Sequence, residues 1–295
     1  MMGKHNSPMR VIKVLPYGYC SGVTNALARS LEYAESHPDE SIAMVGMLVH
    51  NEDAIRPFLD RGVKVLDERN GDLGDQLEKL EDGTTVIFSA HGHPRRYEEI
   101  ARRKNMKVVD TTCRFVQENL ERALCLGNED LIYIGSNGHL ECNAFLENAP
   151  WASFYDVKSN ELVIRGKLSS PTLLAQTTLS SSEIDQAREQ IKKLYPIPTA
   201  TKLRCFATEL RQDNLKKALH DNPIDCLIVL GSKTSNNSKK LFEIGEESGI
   251  DSYLCLNNSE LKSLDLSKYS CLALSSGAST SKSTYEEALS YLESI

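Results

Sequence analysis

The chain has 295 residues, of which 40% are hydrophobic and 25% are charged, and its formal net charge is −7 at pH 7. This composition is typical of a soluble globular protein and excludes collagen, coiled coils and disordered chains. No stretch approaches the roughly 18 consecutive apolar residues of a membrane span, and the acidic balance argues against nucleic-acid binding. The chain begins with a short polar stretch that does not fit a signal peptide, so we expect a cytoplasmic protein with reduced cysteines.

The spacing of the eight cysteines excludes the compact metal and redox motifs. No two of them are arranged as C-x-x-C, so the zinc-ribbon, thioredoxin and ferredoxin patterns are absent. Three of them, Cys20, Cys113 and Cys205, are separated by intervals of 93 and 92 residues. Any metal site must therefore be assembled from distant parts of the chain.

The first of three similar blocks alternates strands and helices, with polar loops after the strands. Its main predicted elements are a strand over 11–15, a helix over 23–34, and strands over 42–49 and 85–88. Its loops carry Cys20, His50 and His91.

The second and third blocks repeat this order. In the second, strands are predicted over 107–110, 130–134 and 172–175, and a helix over 118–126. Its loops carry Cys113, His139 with Glu141, and Thr177 with Thr178. In the third, strands are predicted over 202–205, 225–230 and 271–274, and a helix over 214–220. Its loops follow Cys205 and carry Ser235, Asn237 and Ser279.

These blocks predict three similar α/β units over residues 1–106, 107–197 and 198–295. Alternating strands and helices favour small parallel sheets with right-handed crossovers. Ligands of such sheets bind at the carboxyl ends of the strands. A threefold arrangement of the units would therefore bring the cysteine loops to one centre, surrounded by the polar loops.

Three converging thiolates can bind zinc or an iron–sulfur cluster. A [4Fe–4S] cluster with three cysteine ligands leaves one iron open to a substrate. The alternative is that the three cysteines are small buried hydrophobic residues, but their position beside Gly, Ser and Thr at strand ends favours the metal site. Of the other five, one is undecided and four are predicted to fill the core. The undecided residue is Cys142, and the four are Cys125, Cys226, Cys255 and Cys271.

The remaining candidates are polar side chains in the strand-end loops. His50, His91 and His139 occupy equivalent positions, which favours a site over three separate structural histidines. Glu141 is the carboxylate nearest to them and can donate or relay protons, although a solvated loop carboxylate is the alternative. Hydroxyl and amide groups can hold phosphate oxygens at helix N-termini, or can simply cap helices. These candidates are Thr177, Thr178, Ser235, Asn237 and Ser279.

Together these residues resemble the 4-hydroxy-3-methylbut-2-enyl diphosphate reductase family, the LytB/IspH proteins. The similar motifs occur in family order from about residue 11 to 282, which is nearly the whole chain. They are Gly18–Val23, Val49–Asn51, Phe88–Gly92, Asp110–Cys113, Gly138–Glu141, Gln176–Ser180, Cys205–Thr208 with Arg211 and Gln212, Ser235–Ser238, and Gly277–Thr280.

The resemblance implies an α/β trefoil of three units around a central [4Fe–4S] cluster that Cys20, Cys113 and Cys205 bind. It also implies an oxidoreductase of the non-mevalonate isoprenoid pathway. Such an enzyme removes the C4 hydroxyl of an allylic diphosphate and yields isopentenyl and dimethylallyl diphosphate, with electrons from ferredoxin or flavodoxin. By the same resemblance, Glu141 and Thr177 deliver protons and orient the substrate hydroxyl. The residues implied to hold the diphosphate are His50, His91, His139, Ser235, Asn236, Asn237 and Ser279.

The chain departs from the family pattern in three places. Tyr17 stands where Arg is usual, and Arg114 follows Cys113 where Pro is usual. The segment 139–144 reads His-Leu-Glu-Cys-Asn-Ala instead of His-Pro-Glu-x-Glu-Gly. This last departure motivates an alternative function, a diverged iron–sulfur paralogue that senses redox state or iron. A third hypothesis is a phosphate-ligand binder with structural thiols and no cluster.

Overall fold

The computed structural model describes residues 9–49, 51–127, 130–196 and 205–295, without the side chains of residues 52 and 53. The strands, in chain order, are β1 (Arg10–Lys13), β2 (Ile42–Val45), β3 (Lys64–Leu66), β4 (Thr85–Phe88), β5 (Lys107–Asp110), β6 (Leu131–Gly135), β7 (Ser153–Asp156), β8 (Glu161–Val163), β9 (Thr172–Ala175), β10 (Cys226–Leu230), β11 (Asp251–Cys255) and β12 (Cys271–Ser276). The helices are α1 (Ser21–Ser36), α2 (Glu52–Leu59), α3 (Leu73–Glu78), α4 (Arg95–Arg103), α5 (Arg114–Leu126), α6 (Leu140–Asn148), α7 (Ser181–Lys192), α8 (Phe206–Asp221), α9 (Asn236–Glu247), α10 (Asn258–Lys262) and α11 (Lys282–Ser294).

The chain divides into two compact units. The larger runs from Ser21 to Cys205 and contains two sheets, with strand orders β3-β2-β4-β5 and β8-β7-β6-β9. The smaller consists of Cys20 and the chain before it, together with Phe206–Ile295, and contains one sheet of order β1-β12-β10-β11. None of the helices in the described part of the chain is long and apolar enough to span a membrane.

The central strands are buried because they are apolar on both faces. Every residue of β2, β4, β6 and β10 is buried, which is typical of parallel strands covered by helices on both sides. In β2, Ala43 and Val45 pack into one core cluster, whereas Ile42 and Met44 pack into another. Fully burying an aliphatic side chain contributes roughly 1.5–3 kcal/mol, so these layers hold the sheets in place.

The strands that precede Cys20 and Cys113 are attached in the same way. β1 pairs in parallel with β12, and β5 pairs in parallel with β4. The backbone N–H of Cys20 donates to the carbonyl of Ala278 at 3.1 Å, and the N–H of Cys113 donates to the carbonyl of Ala90 at 3.0 Å. Each of these cysteines is therefore tied to the polar loop that follows the neighbouring strand.

The prediction of an α/β fold with small parallel sheets is confirmed, with one local difference. Strand β8 pairs antiparallel with β7 at the edge of its sheet. The connection spans only residues 157–160, where Asn160 has a φ of 58°, and such a short turn can join only antiparallel neighbours.

The division into three sequence units stays a prediction. β1, from the first block of the repeat, pairs with β12 from the third block, and β5, from the second block, pairs with β4 from the first block. Two of the three sheets therefore contain strands from two blocks. Of the strand expected over 202–205, only Cys205 belongs to the described residues.

The loop that carries Ser279 depends on a close approach of backbone to Ser238. A Cβ atom at Gly277 would overlap the hydroxyl of Ser238 and lie 3.3 Å from its Cβ. We expect Gly277→Ala to destabilise the protein by roughly 1–3 kcal/mol through overpacking, measured as the urea unfolding midpoint. Because the Ser238 hydroxyl is buried without a hydrogen-bond partner among the described residues, Ser238→Ala alone should be nearly neutral. The double variant should recover most of the loss. A double variant as unstable as Gly277→Ala would contradict this account.

Candidate active site

Glu141 lies in the first turn of α6, just beyond the carboxyl end of β6. His139 is the N-cap residue of this helix, and its Nδ1 accepts a hydrogen bond from the backbone N–H of Glu141 at 3.2 Å. Because Nδ1 is the acceptor, the imidazole is the neutral tautomer with its proton on Nε2. His139 is therefore a neutral hydrogen-bond donor through Nε2.

The carboxylate of Glu141 is buried and is held by Thr177 in the loop after β9. The side chain is 2% exposed. Its Oε1 accepts from the backbone N–H of Thr177 at 2.7 Å, and its Oε2 accepts from the Thr177 hydroxyl at 2.8 Å. Burial raises the pKa of Glu141 to about 7, while the hydrogen bonds from Thr177 oppose that rise. A carboxyl group with a pKa near neutrality suits general acid catalysis. The two residues that the resemblance implies for proton delivery and hydroxyl orientation are therefore in direct contact; their roles stay a prediction.

His91 lies beside His139, although the two histidines follow strands of different sheets within the larger unit. Their ring centroids are 5.7 Å apart and the ring planes meet at 82°. The Nδ1 of His91 is 3.4 Å from the hydroxyl of the buried Ser89. His50, the third predicted histidine, lies outside the described residues.

Gln176 links the two loops that carry His139 and Thr177. It is fully buried, and its Oε1 accepts from the backbone N–H of Ser136 at 2.9 Å. Its Nε2 donates to the hydroxyl of Thr178 at 2.7 Å. Thr178, predicted as a phosphate-binding residue, is thus a partner of this amide within the protein.

Each of the three equally spaced cysteines immediately precedes a helix. Cys20 precedes α1, Cys113 is the N-cap residue of α5, and Cys205 precedes α8. All three side chains are partly exposed. The partial positive charge at a helix N-terminus favours the thiolate form that binds metal ions.

The other cysteines differ in burial and chemistry. Burial raises the pKa of the thiols of Cys226 and Cys142 to about 12 and of Cys255 to about 11, and it also raises the pKa of Cys271. The prediction that Cys226, Cys255 and Cys271 fill the core is confirmed, and the undecided Cys142 is also buried. The prediction for Cys125 is wrong, because it lies on the exposed face of α5.

Neither unit, within its described residues, gathers three His, Cys, Asp or Glu side chains that could hold a metal ion. The predicted cluster ligands therefore stay a prediction.

In the smaller unit, the predicted polar residues lie at the start of α9. Ser235 caps the helix by accepting from the backbone N–H of Ser238 at 3.4 Å, and Asn236 and Asn237 form its first turn. The side chain of Asn237 is 4% exposed, and its amide has no hydrogen-bond partner among the described residues. A buried amide without a partner is costly, and a helix N-terminus binds anions. This first turn is therefore suited to an anionic ligand. Ser279 is also buried in this unit, in the loop after β12.

Sequence reasoning assigned no role to Arg211, which holds the loop before Cys20. Its guanidinium is buried and donates to the backbone carbonyl oxygens of Pro16 and, at 2.7 Å, Gly18. Asn214, one turn later on α8, donates to the carbonyl oxygen of Leu15 at 2.8 Å. The sequence did contain a signal for the importance of Arg211 and Gln176, because both belong to the motifs that carry the family resemblance.

The sequence was compared with models of known protein families. Residues 11–293 match the model of the LytB protein family. The chain belongs to this family. The resemblance drawn from the motifs is thereby confirmed.

Relatives and solved structures agree with this family. A 4-hydroxy-3-methylbut-2-enyl diphosphate reductase from Malacoplasma penetrans is 31% identical over 280 residues, which cover 92% of this chain and 93% of the relative. The reductase from Lysinibacillus sphaericus is 34% identical over 292 residues, which cover 97% and 88%. The solved E-1-hydroxy-2-methyl-but-2-enyl-4-diphosphate reductase of Plasmodium falciparum has a TM-score of 0.81 at 26% identity, covering 97% of this chain and 88% of that one.

The departures from the LytB pattern leave the Glu141 contacts intact. Cys142 and Ala144 are buried in α6, and Glu141 keeps both bonds to Thr177. Tyr17 stacks on Tyr285, with ring centroids 4.0 Å apart. The guanidinium of Arg114 is exposed and ion-paired with Glu118 at 2.7 Å.

The pKa of Glu141 predicts a pH dependence of stability. Because its pKa in the folded protein lies above the ordinary 4.5, the folded state binds a proton more tightly than the unfolded state between pH 4.5 and about 7. Raising the pH through this range therefore destabilises the protein by up to about 3 kcal/mol. The Glu141→Gln variant has no carboxyl group at this position, so it lacks this pH-dependent loss of stability. Between pH 5 and pH 8, urea unfolding should show the variant gaining stability relative to the wild type. The exposed Glu189→Gln is the control, and an equal pH dependence in wild type and Glu141→Gln would contradict the buried carboxyl.

Proposed function

We propose that the chain is a 4-hydroxy-3-methylbut-2-enyl diphosphate reductase. It removes the C4 hydroxyl of the allylic diphosphate as water and forms isopentenyl and dimethylallyl diphosphate. The observation that carries the proposal is the buried Glu141 carboxyl group, held by Thr177 beside the contacting pair His91 and His139. Loss of a hydroxyl as water requires a proton donor, and this group has a pKa of about 7.

The cofactor in this proposal is a [4Fe–4S] cluster held by Cys20, Cys113 and Cys205. These three thiols fit the group better than the other cysteines do, because they are partly exposed and stand at helix N-termini. The four buried thiols have raised pKa values that favour the protonated form, which does not bind metal ions. When bound, the cluster supplies electrons, and its iron without a cysteine ligand acts as a Lewis acid on the substrate hydroxyl.

The residues of the larger unit hold and move protons in this scheme. Glu141 donates a proton to the hydroxyl that leaves as water, and Thr177 fixes the carboxyl group through its N–H and its hydroxyl. His139 donates through Nε2 to the diphosphate, with His91 beside it and His50 as a further ligand. A neutral donor binds the anion without depending on protonation of the imidazole.

The residues of the smaller unit bind the diphosphate in this scheme. The first turn of α9 offers backbone N–H groups, and Ser235, Asn236 and Asn237 add side-chain donors. Ser279 adds a hydroxyl. The buried amide of Asn237, without a protein partner among the described residues, would gain a ligand partner.

The electron donor in this proposal is ferredoxin or flavodoxin, and the location is the cytoplasm. The relatives carry the name of the reductase, so the alternative of a redox or iron sensor is not favoured. The decisive experiment is turnover of the allylic diphosphate by the anaerobically reconstituted protein, with dithionite and a viologen as reductant. A protein that binds its cluster without turnover would overturn the proposal.

The cluster ligands can be tested separately from activity. Single Ser replacements of Cys20, Cys113 and Cys205 should each strongly reduce the iron content and visible absorption of the anaerobically purified protein. Cys271→Ser and Cys125→Ser are matched controls, one buried and one exposed, and should retain both signals. If either control loses its iron and a predicted ligand variant retains it, the ligand set is wrong.

Glu141→Gln should reduce turnover and leave the cluster in place. A general acid supplies about 10²–10⁴-fold in rate, so kcat should fall by at least about a hundredfold. Gln keeps the volume of the side chain, and KM should change far less than kcat. Visible absorption checks the cluster in the same sample. Turnover near the wild-type rate would mean that the proton comes from another group.

A further inference from the structure

Arg211 is a buried arginine in the first half of α8. Among the described Lys, Arg, Asp and Glu residues, only Arg211 and Glu141 are buried, and each is 2% exposed. Taking a charge out of water is costly unless the structure compensates for it. The position of Glu141 is explained by the proposed active site. Since a guanidinium stays protonated in proteins, the buried charge of Arg211 requires an explanation of its own.

The guanidinium of Arg211 holds the loop that leads to Cys20. It donates to the backbone carbonyl oxygens of Pro16 and, at 2.7 Å, Gly18. The planar guanidinium presents its N–H groups in a fixed geometry, so it can bind two acceptors of one loop at once. Both acceptors are neutral, and the contacts therefore orient the guanidinium without removing its charge.

The same loop is fixed by contacts with the second half of the smaller unit. The ring of Tyr17 stacks on Tyr285 of α11 with centroids 4.0 Å apart. The backbone N–H of Cys20 donates to the carbonyl of Ala278, in the loop after β12, at 3.1 Å. The protein itself therefore holds the backbone at Cys20 in place, and Arg211 is part of that support.

The charge of Arg211 lies close to Cys20. Gly18 stands two residues before Cys20, and two residues span at most about 7 Å. Because the guanidinium is 2.7 Å from the carbonyl oxygen of Gly18, it lies on the order of 10 Å from Cys20. At that distance and an effective dielectric constant of about 20, one unit charge changes an equilibrium constant about tenfold.

Arg114 stands nearer to a predicted cluster ligand in sequence, because it follows Cys113 directly. Its side chain is 87% exposed and is ion-paired with Glu118 at 2.7 Å. Water, salt and the paired carboxylate screen its charge. Arg211 is therefore better placed than Arg114 to act electrostatically on a group that a cysteine loop binds.

We propose that Arg211 is a positioning residue for Cys20 and that its buried charge favours the reduced form of the cluster. The first part concerns the protein alone. The second part rests on the proposed function, in which Cys20 is a cluster ligand. Reduction takes one electron from the reductant and adds one negative charge, which a nearby buried cation stabilises. Arg211 thereby raises the reduction potential.

The first test is hydrogen exchange of the metal-free protein, followed by mass spectrometry of its peptides. Arg211→Gln keeps a donor but is too short to reach both carbonyl oxygens. Loss of a hydrogen bond from a charged group makes local opening more frequent, so the peptide that carries Cys20 should exchange about tenfold faster. The control is Arg10→Gln, which removes an exposed arginine at the start of β1 and should leave this exchange unchanged. Unchanged exchange in Arg211→Gln contradicts the positioning role.

The second test is a redox titration of the anaerobically reconstituted protein, followed by electron paramagnetic resonance. Arg211→Gln should lower the equilibrium constant for one-electron reduction about tenfold, which corresponds to about 59 mV. Arg211→Lys also loses the two-carbonyl contact but keeps the charge, and it should retain most of the wild-type potential. Arg10→Gln removes the same charge from the surface, where solvent screens it, and should not change the potential.

The comparison of the two Arg211 variants separates charge from loop geometry. An unchanged potential in Arg211→Gln, or an equal fall in Arg211→Lys, overturns the electrostatic part of the proposal. If Arg211→Gln retains no iron, iron content replaces the potential: Arg211→Lys should retain iron, and loss from both variants overturns the same part. A wild-type protein that takes up no cluster refutes the proposed function instead, and hydrogen exchange still decides whether Arg211 holds the Cys20 loop.

Discussion

The burial of the Glu141 carboxyl group is the constraint on which the chemistry of this site depends. Burial disfavours the charged form, whereas the two hydrogen bonds from Thr177 favour it. The balance places the pKa near 7, where a carboxyl group can both donate a proton and regain it. Neither effect alone would give this value. The loop after β9 must therefore keep its position relative to α6, and the buried Gln176 bridges the loops after β6 and β9 through Ser136 and Thr178.

The fold supplies this arrangement because its sheets are mainly parallel. Parallel strands end at the same edge, and each ending strand leads into a loop and then a helix N-terminus. In each sheet this edge carries backbone N–H donors and neutral side-chain donors, and in two of the sheets it also carries a cysteine that precedes a helix. In a chain with a net charge of −7, such local donors allow an anion to be bound without a dense cluster of Lys and Arg.

The sequence predicted the parts of the fold in which local pattern and tertiary environment agree. Strands such as β4 and β10 are continuous apolar runs, so they were found within one or two residues. Strands β3, β7 and β8 were missed. The residues of the edge strands β3 and β8 are half-exposed and carry no clear period, and the four residues of β7 begin with Ser and end with Asp. The pairing of β1 with β12 could not be read from local pattern either, since it joins opposite ends of the chain.

The site was predictable where its residues stand in loops after strands, and not where they act from inside an element. Arg211 lies within α8, and its hydrogen bonds to the carbonyl oxygens of Pro16 and Gly18 join residues nearly 200 positions apart, which no local pattern reveals. The departure from the family pattern at residues 143–144 shows the opposite case. His139 caps α6, and Thr177 donates from the loop after β9, so Glu141 is held by residues outside the altered positions. Of these altered residues, Asn143 is exposed and Ala144 is buried in α6. Divergence there changes the surroundings of the carboxyl group without changing the hydrogen bonds that hold it.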